Sequence, residues 1–228
     1  MSPRPRREER HPDLQSAIKE TAWKQIAESG AAALSLRAIA RELNITAPSI
    51  YNYYGSRDEL VTALIVDAYH SLGDSQRAAL ELIPAEDLAG QLAGLGLAYR
   101  QWAVAYPQRY LLIFGTPIPN YHAPEDMTLP EATRALEPLI GVLQATWMAD
   151  RLWVERLAPL SPALAVMLQT WQAAAKGVHP EALYLALVIW SRVHGLVMFE
   201  LTQHIPPVIS DPGELFRREV SNFLIQYL

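Results

Sequence analysis

The chain has 228 residues, no cysteine, half of its residues hydrophobic, 19% charged and a formal net charge of −5. That balance supports a sizeable core and excludes disorder of the whole chain, and the missing thiols exclude a disulfide scaffold, a thiolate zinc site and a cysteine nucleophile. Residues 1–60 are near neutral at +1 with a basic tip, whereas residues 61–228 carry −6, so one end is the better candidate for a polyanionic partner.

In chain order, MSPRPRREER is a basic tail broken by proline. The stretch from Pro12 to Ser29 is predicted helical, with Leu14, Ile18, Ala22 and Ile26 at i+4 steps, and Gly30 stops it. Ser35 is placed to cap a helix ending at Leu43, with Leu36, Ile39, Ala40 and Leu43 on one face. Asn44 suits a tight turn, and Thr46 is placed to cap a brief helix with Pro48 in its first turn. Ser56 and Glu59 match a capping box that opens a fourth helix, ending near Gly73 or running toward Leu82.

The remainder is predicted as a larger helical unit. Helices are expected over Leu88–Ala105, Pro107–Phe114, Glu131–Trp153, Ala163–Lys176, Pro180–His204 and from Pro212 to the end. Residues 115–130 hold four prolines and one glycine and are expected to form a loop. The whole is all-α, with nine or ten helices. Residues 1–60 form a helix-turn-helix head and residues 61–228 a helical ligand-binding and dimerisation domain. The longest unbroken apolar run is nine residues, Ala182 to Trp190, against roughly 20 for a membrane span. The Arg-rich N-terminus lacks the apolar segment of a secretory signal. No membrane partner and a cytoplasmic location are therefore expected.

Two short helices joined by a tight turn have the mechanics of a helix-turn-helix. The outward face of the second is Ala47, Pro48, Ser49, Tyr51, Asn52 and Tyr53, groups able to meet phosphate or base edges. Spacing alone also fits an ordinary helical hairpin. The stretch SLRAIARELNITAPSIYNYYGSRDELVTALI, with TAWKQIAESGAAAL before it, resembles the N-terminal signature of the TetR family of bacterial transcriptional regulators. The resemblance implies that Ser35 and Thr46 are phosphate-contacting caps and that Arg37 meets a base or a phosphate. It puts Ala47, Pro48, Ser49 and Asn52 on the recognition helix, makes Tyr51 a phosphate-binding tyrosine, and sets Arg57 in place of the usual lysine. The sequence departs from the family at Asn44, where glycine is commonest, at Tyr54, where phenylalanine is, and at Gly55, where proline is. The recognition helix carries no Lys or Arg, which leaves its base preference open.

Trp190 to Leu196 (WSRVHGL) and Tyr106 to Tyr110 (YPQRY), leading to Phe114, resemble the WHG-type C-terminal domain of some members. That resemblance implies an effector domain but names no ligand. Trp102, Tyr110, Phe114, Trp147, Met167, Trp171 and His194 are the candidate lining of a mostly apolar effector pocket, although packing in the core is the ordinary role of each. For His194 a structural role and a ligand contact both stay open.

No GxGxxG, Walker, HExxH or GxSxG motif is present, and Glu8-x-x-His11 stands alone in the tail. No catalysis, cofactor or metal is expected. The expected function is a homodimeric regulator, a repressor released from a palindromic DNA operator by a small hydrophobic effector, with the last two helices pairing across a twofold axis, the last one amphipathic with Leu215, Phe216, Val220, Phe223, Leu224 and Tyr227 on its apolar side. The alternatives are a helical-bundle enzyme or carrier without DNA binding, and a regulator answering to a protein partner.

Overall fold

The computed structural model describes residues 12–175 and 177–228, so the basic tail with Arg4, Arg6, Arg7 and Arg10, the Glu8-x-x-His11 motif and Lys176 lie outside the described residues. Among the described residues ten α-helices run in the order α1 (Pro12–Ser29), α2 (Leu36–Glu42), α3 (Ala47–Tyr51), α4 (Arg57–Glu81), α5 (Leu88–Ala105), α6 (Pro107–Phe114), α7 (Glu125–Met148), α8 (Pro162–Ala174), α9 (Pro180–Leu201) and α10 (Pro212–Tyr227). Single 3-10 turns occupy Ala31–Ala33 and Val154–Arg156, and no strand occurs among the described residues.

The punctuation works largely as the residues imply. Gly30 takes φ 76° and Asn44 φ 53°, both in the left-handed region. Ser35 Oγ accepts from Ala38 N at 3.3 Å, and Ser56 Oγ from Glu59 N at 3.1 Å. Glu59 completes its box one residue further back than the motif implies, accepting from Gly55 N at 2.8 Å. Thr46 stands at the N-cap position of α3, but its hydroxyl caps nothing; it bonds Ser49 Oγ at 2.8 Å instead.

The chain forms two compact units. The first runs through Tyr69 and includes residues 106–131; the second holds residues 70–105 and 132–228. Packing thus divides the chain within α4 and returns α6 to the first unit.

In the first unit Ile18, Ala22, Trp23 and Ile26 of α1 meet Leu36, Ile39 and Ala40 of α2, Ile50 of α3, and Leu60, Val61, Leu64, Ile65 and Ala68 of α4. Each buried large aliphatic contributes roughly 1.5–3 kcal/mol, so this small core is well provided. Leu112 and Ile113 of α6 pack on it. The Arg109 guanidinium lies 5.4 Å from the Trp23 ring and 4.6 Å from that of Tyr106.

In the second unit α5, α9 and α10 bury one another. Leu92, Leu95, Tyr99 and Trp102 lie in one core with Leu183, Ile189, Val193 and Val197, and with Phe216, Val220, Phe223 and Tyr227. A Cβ on Gly96 would stand 3.1 Å from Val220, a measure of how closely α5 and α10 approach. Arg100 donates two bonds to Glu200, at 2.8 and 2.6 Å, tying α5 to α9.

Three expectations are corrected. Residues 115–130 are not loop throughout: α7 starts at Glu125 and contains Pro130 and Pro138. Each interior proline removes one backbone bond and costs about 3 kcal/mol. The helix persists because burial of Leu139, Ile140, Val142 and Leu143 outweighs that loss. It stops at Met148 rather than Trp153, where Asp150 takes φ 53°. The apolar stripe of α10 is not left for a twofold mate: Phe216, Val220, Phe223 and Tyr227 are covered by their own chain. An amphipathic pattern demands a cover but does not say whose. By length and composition alone α9 is also apolar enough to cross a membrane, a test that core helices pass as well, and this does not overturn the expectation of no membrane partner. Ala182, Leu183, Leu185, Ala186, Ile189, Val193 and Val197 of this helix are buried in the second unit.

Candidate nucleic-acid interface

Leu34, Ser35, Leu36, Arg37, Tyr51, Gly55, Ser56 and Arg57 line one open depression of about 450 Å³ on the first unit. Three breaks in the helices bring them together. Ser35 starts α2, Tyr51 ends α3, and Gly55-Ser56-Arg57 starts α4. The two serines cap the first turns of α2 and α4, and the start of α4 already carries the Asp58 and Glu59 carboxylates, with Glu59 holding Gly55 N. Tyr51 is 46% exposed, enough to leave its phenol accessible. Its neighbour Tyr54 is buried and accepts from Gln15 Nε2 at 3.4 Å.

The cations near this face differ in what already holds them. Lys24 pairs with Glu42 and Lys19 with Asp67, each at 2.7 Å. Arg57 is engaged most fully: its Nε donates to Leu34 O at 3.2 Å and its Nη2 to Ala31 O and Ala32 O at 2.9 and 3.2 Å. Its side chain is 28% exposed, so Arg57 forms a wall of the depression while holding the 3-10 turn. Arg37 and Arg41 are exposed, one turn apart on α2, and neither has a partner among the described residues.

Of the expected DNA-contacting residues, Ser35, Arg37, Tyr51 and Arg57 therefore share one depression. Thr46, Pro48 and Asn52 are exposed around α3, with Ala47 and Ser49 half-buried beside them. Arg41, which motif position does not single out, is exposed one turn from Arg37 but does not line the depression.

The expected effector-lining residues fall in different places. Trp102, Trp147, Trp171 and His194 belong to the second unit. Trp102 is buried and donates to Ser71 Oγ at 2.9 Å. Trp147 and Trp171 are half-buried, and Trp147 stacks on His179 with ring centres 3.6 Å apart. Tyr99 OH and His194 Nδ1 are 3.1 Å apart, and burial pushes the His194 imidazole below its ordinary pKa. Met167 is 66% exposed, on the outer side of α8. Tyr110 and Phe114 lie in the first unit, where Phe114 meets Tyr110 and Tyr69 edge to face at 5.1 and 6.0 Å.

Two sequence profiles match this chain, and their boundary differs from the packing division, because the C-terminal profile includes residues 106–131. Residues 18–64 match the sequence profile of bacterial regulatory proteins of the tetR family, and residues 92–223 match that of the tetracyclin repressor-like C-terminal domain. The chain is 32% identical over 213 residues to the HTH-type transcriptional regulator Rv1816 of Mycobacterium tuberculosis, covering 92% of this chain and 91% of that one. The same values hold for Mb1846 of Mycobacterium bovis. Among solved structures, SCO4313, described as a regulatory protein, superposes with a TM-score of 0.77 at 37% identity over 96% of this chain and 98% of the other. A protein of unknown function from Rhodococcus sp. RHA1 shares the fold at 18% identity, with a TM-score of 0.72 over 97% and 99%. A variant of TetR from Acinetobacter baumannii AYE, solved in complex with minocycline, does so at 15% identity with a TM-score of 0.54 over 92% and 94%. With both profiles and a full-length relative matched, the chain belongs to the TetR family of DNA-binding, helix-turn-helix transcriptional regulators.

Proposed function

We propose that this regulator is a cytoplasmic homodimeric repressor that leaves a palindromic operator when a small hydrophobic effector binds its second unit. The observation that carries the DNA half is the single depression lined by Ser35, Arg37, Tyr51 and Ser56. Those groups suit phosphate oxygens, which fix register on a duplex, while the exposed side chains of α3 address the base edges. A twofold dimer presents two such heads and therefore asks for an inverted repeat.

The match to a tetracyclin repressor-like domain supports repression and effector release. The effector is proposed to be neutral and apolar, held among Trp147, Trp171 and neighbouring aliphatics of the second unit. Leu187, Ser191 and Gly195 of α9 and Leu215, Arg218 and Asn222 of α10 are proposed as the outward stripes that meet the second copy. Leu187 and Leu215 are exposed apolar side chains, and no neighbouring side chain stands within 4 Å of a Cβ on Gly195.

The test uses the full-length protein and a labelled duplex from the DNA flanking its own gene. Salt-sensitive, competitor-resistant binding that is weakened by a neutral hydrophobic compound is the expected result. Specific binding that no compound in a broad hydrophobic panel alters would overturn effector release. Binding no tighter than to random duplex would move the operator elsewhere, to be sought by selection from a random pool.

A further inference from the structure

We infer that the recognition helix reads its half-site through thymine methyl groups and one adenine, and not through a guanidinium on guanine. The inference rests on the proposed operator binding and adds the chemistry of the sequence read.

Strong readout of guanine in the major groove uses Arg or Lys bidentate to O6 and N7. From Thr46 to Asn52 there is no cation. Within residues 12–60, Lys19, Lys24 and Arg57 are held by Asp67, by Glu42 and by three backbone carbonyls. Arg37 and Arg41 lie on α2, not on the reading helix. Arg37 lines the same depression as Ser35, Ser56 and Tyr51, residue types that commonly meet phosphate oxygens.

What α3 offers a base edge is apolar at its start and an amide at its end. The Thr46 and Ser49 hydroxyls hold one another at 2.8 Å, which engages the polar atom of Thr46. The Thr46 methyl, Ala47 and the exposed Pro48 remain, and groups of this kind meet the thymine C5-methyl. Pro48 has a fixed φ and little side-chain freedom to lose on docking. Asn52, exposed at the C-terminal end of α3, has the donor–acceptor pair that matches adenine N7 and N6.

The experiment selects duplexes from a random pool with the full-length protein. Anisotropy titrations then replace dT by dU at each position of the enriched half-site, at one fixed salt. Half-sites built around A·T pairs are expected, with dU weakening binding about fourfold at each contacted methyl, the worth of one buried methyl-sized group. Asn52→Ala should relax the preference at one A·T pair. Arg37→Ala should weaken all duplexes alike and keep their order. An enriched half-site centred on G·C at which dU is silent, or an Arg37→Ala variant that relaxes a G·C position, would overturn the inference. A pool that yields no enriched sequence would overturn the operator reading itself, so the two failures are distinguishable. The dU titrations use unmodified protein and hold even if a variant fails to fold.

Discussion

At Arg57 three bonds to the carbonyls of residues 31, 32 and 34 hold the turn that leads into α2. Hydrogen bonds to a charged group contribute about 1.5–3 kcal/mol each before competing water is counted, so Arg57→Ala is expected to cost about 2 kcal/mol of stability. Arg37, exposed and without such bonds, is expected to matter only to DNA. Thermal melts and the salt dependence of operator binding separate the two roles. Arg57→Ala should lower Tm and leave the log–log salt slope unchanged, whereas Arg37→Ala should keep Tm and flatten the slope by about one. An Arg57→Ala variant with wild-type Tm and a slope flatter by one would make Arg57 a direct phosphate contact. The side-chain identities at this face were legible from the motif. What already engages each one was not, because carbonyls twenty-odd residues upstream carry no side-chain signature.

Among the elements, capping separates residues that look alike in sequence. Ser35→Ala removes a cap bond and is expected to cost about 1 kcal/mol in urea unfolding. Thr46→Ala removes only the bond to Ser49 and should stay within about 0.5 kcal/mol. Equal losses would place a true cap at Thr46. The last two helices give a sharper contrast. Phe223 is 1% exposed inside its own unit, so Phe223→Glu should collapse the second unit, visible as lost helicity. Leu187→Glu with Leu215→Glu places charge on outward stripes and should leave a folded chain that light scattering reports as a monomer. A folded double variant that still runs as a dimer at micromolar concentration would move the interface off these two helices. The helices themselves were legible from period and breakers. The extent of α7 was not, because proline signals weigh locally and the burial that overrides them is tertiary.

For the whole molecule, acidity is a readable variable. Burial pushes both His194 and His179 below their ordinary value of 6.5. The unfolded chain therefore takes up protons at these sites at a pH where the folded chain does not. Their contribution is intact above about pH 6.5, falls as pH drops through 6.5, and stops falling below the folded values. Asp74, held below its usual range by a hydrogen bond from Arg77, acts only in a lower window, under its ordinary 3.8. Tm should therefore decline between about pH 7 and pH 5, and less steeply in His194→Gln, which keeps a polar partner for Tyr99. A wild-type Tm that is flat across that range would mean that neither imidazole is held neutral by the fold.

The sequence by itself determined the all-α class, the turn at Asn44, the stop at Gly30, the cap at Ser35 and the regulatory family. The fold class, turn, stop and cap each rest on a local rule, a period, a φ preference or a capping hydroxyl readable within a few residues, whereas the family rests on resemblance to a known signature, since spacing alone also fits a plain helical hairpin. Only the tertiary structure decided that Phe216, Val220, Phe223 and Tyr227 face their own chain, that Met167 faces outward, and that Tyr110 and Phe114 pack in the first unit. It also decided that Arg57 holds a turn while Arg37 stands exposed. These outcomes depend on which distant segments arrive beside a residue. Helical periodicity says that a face must be covered, and the arrangement of the whole chain says by what.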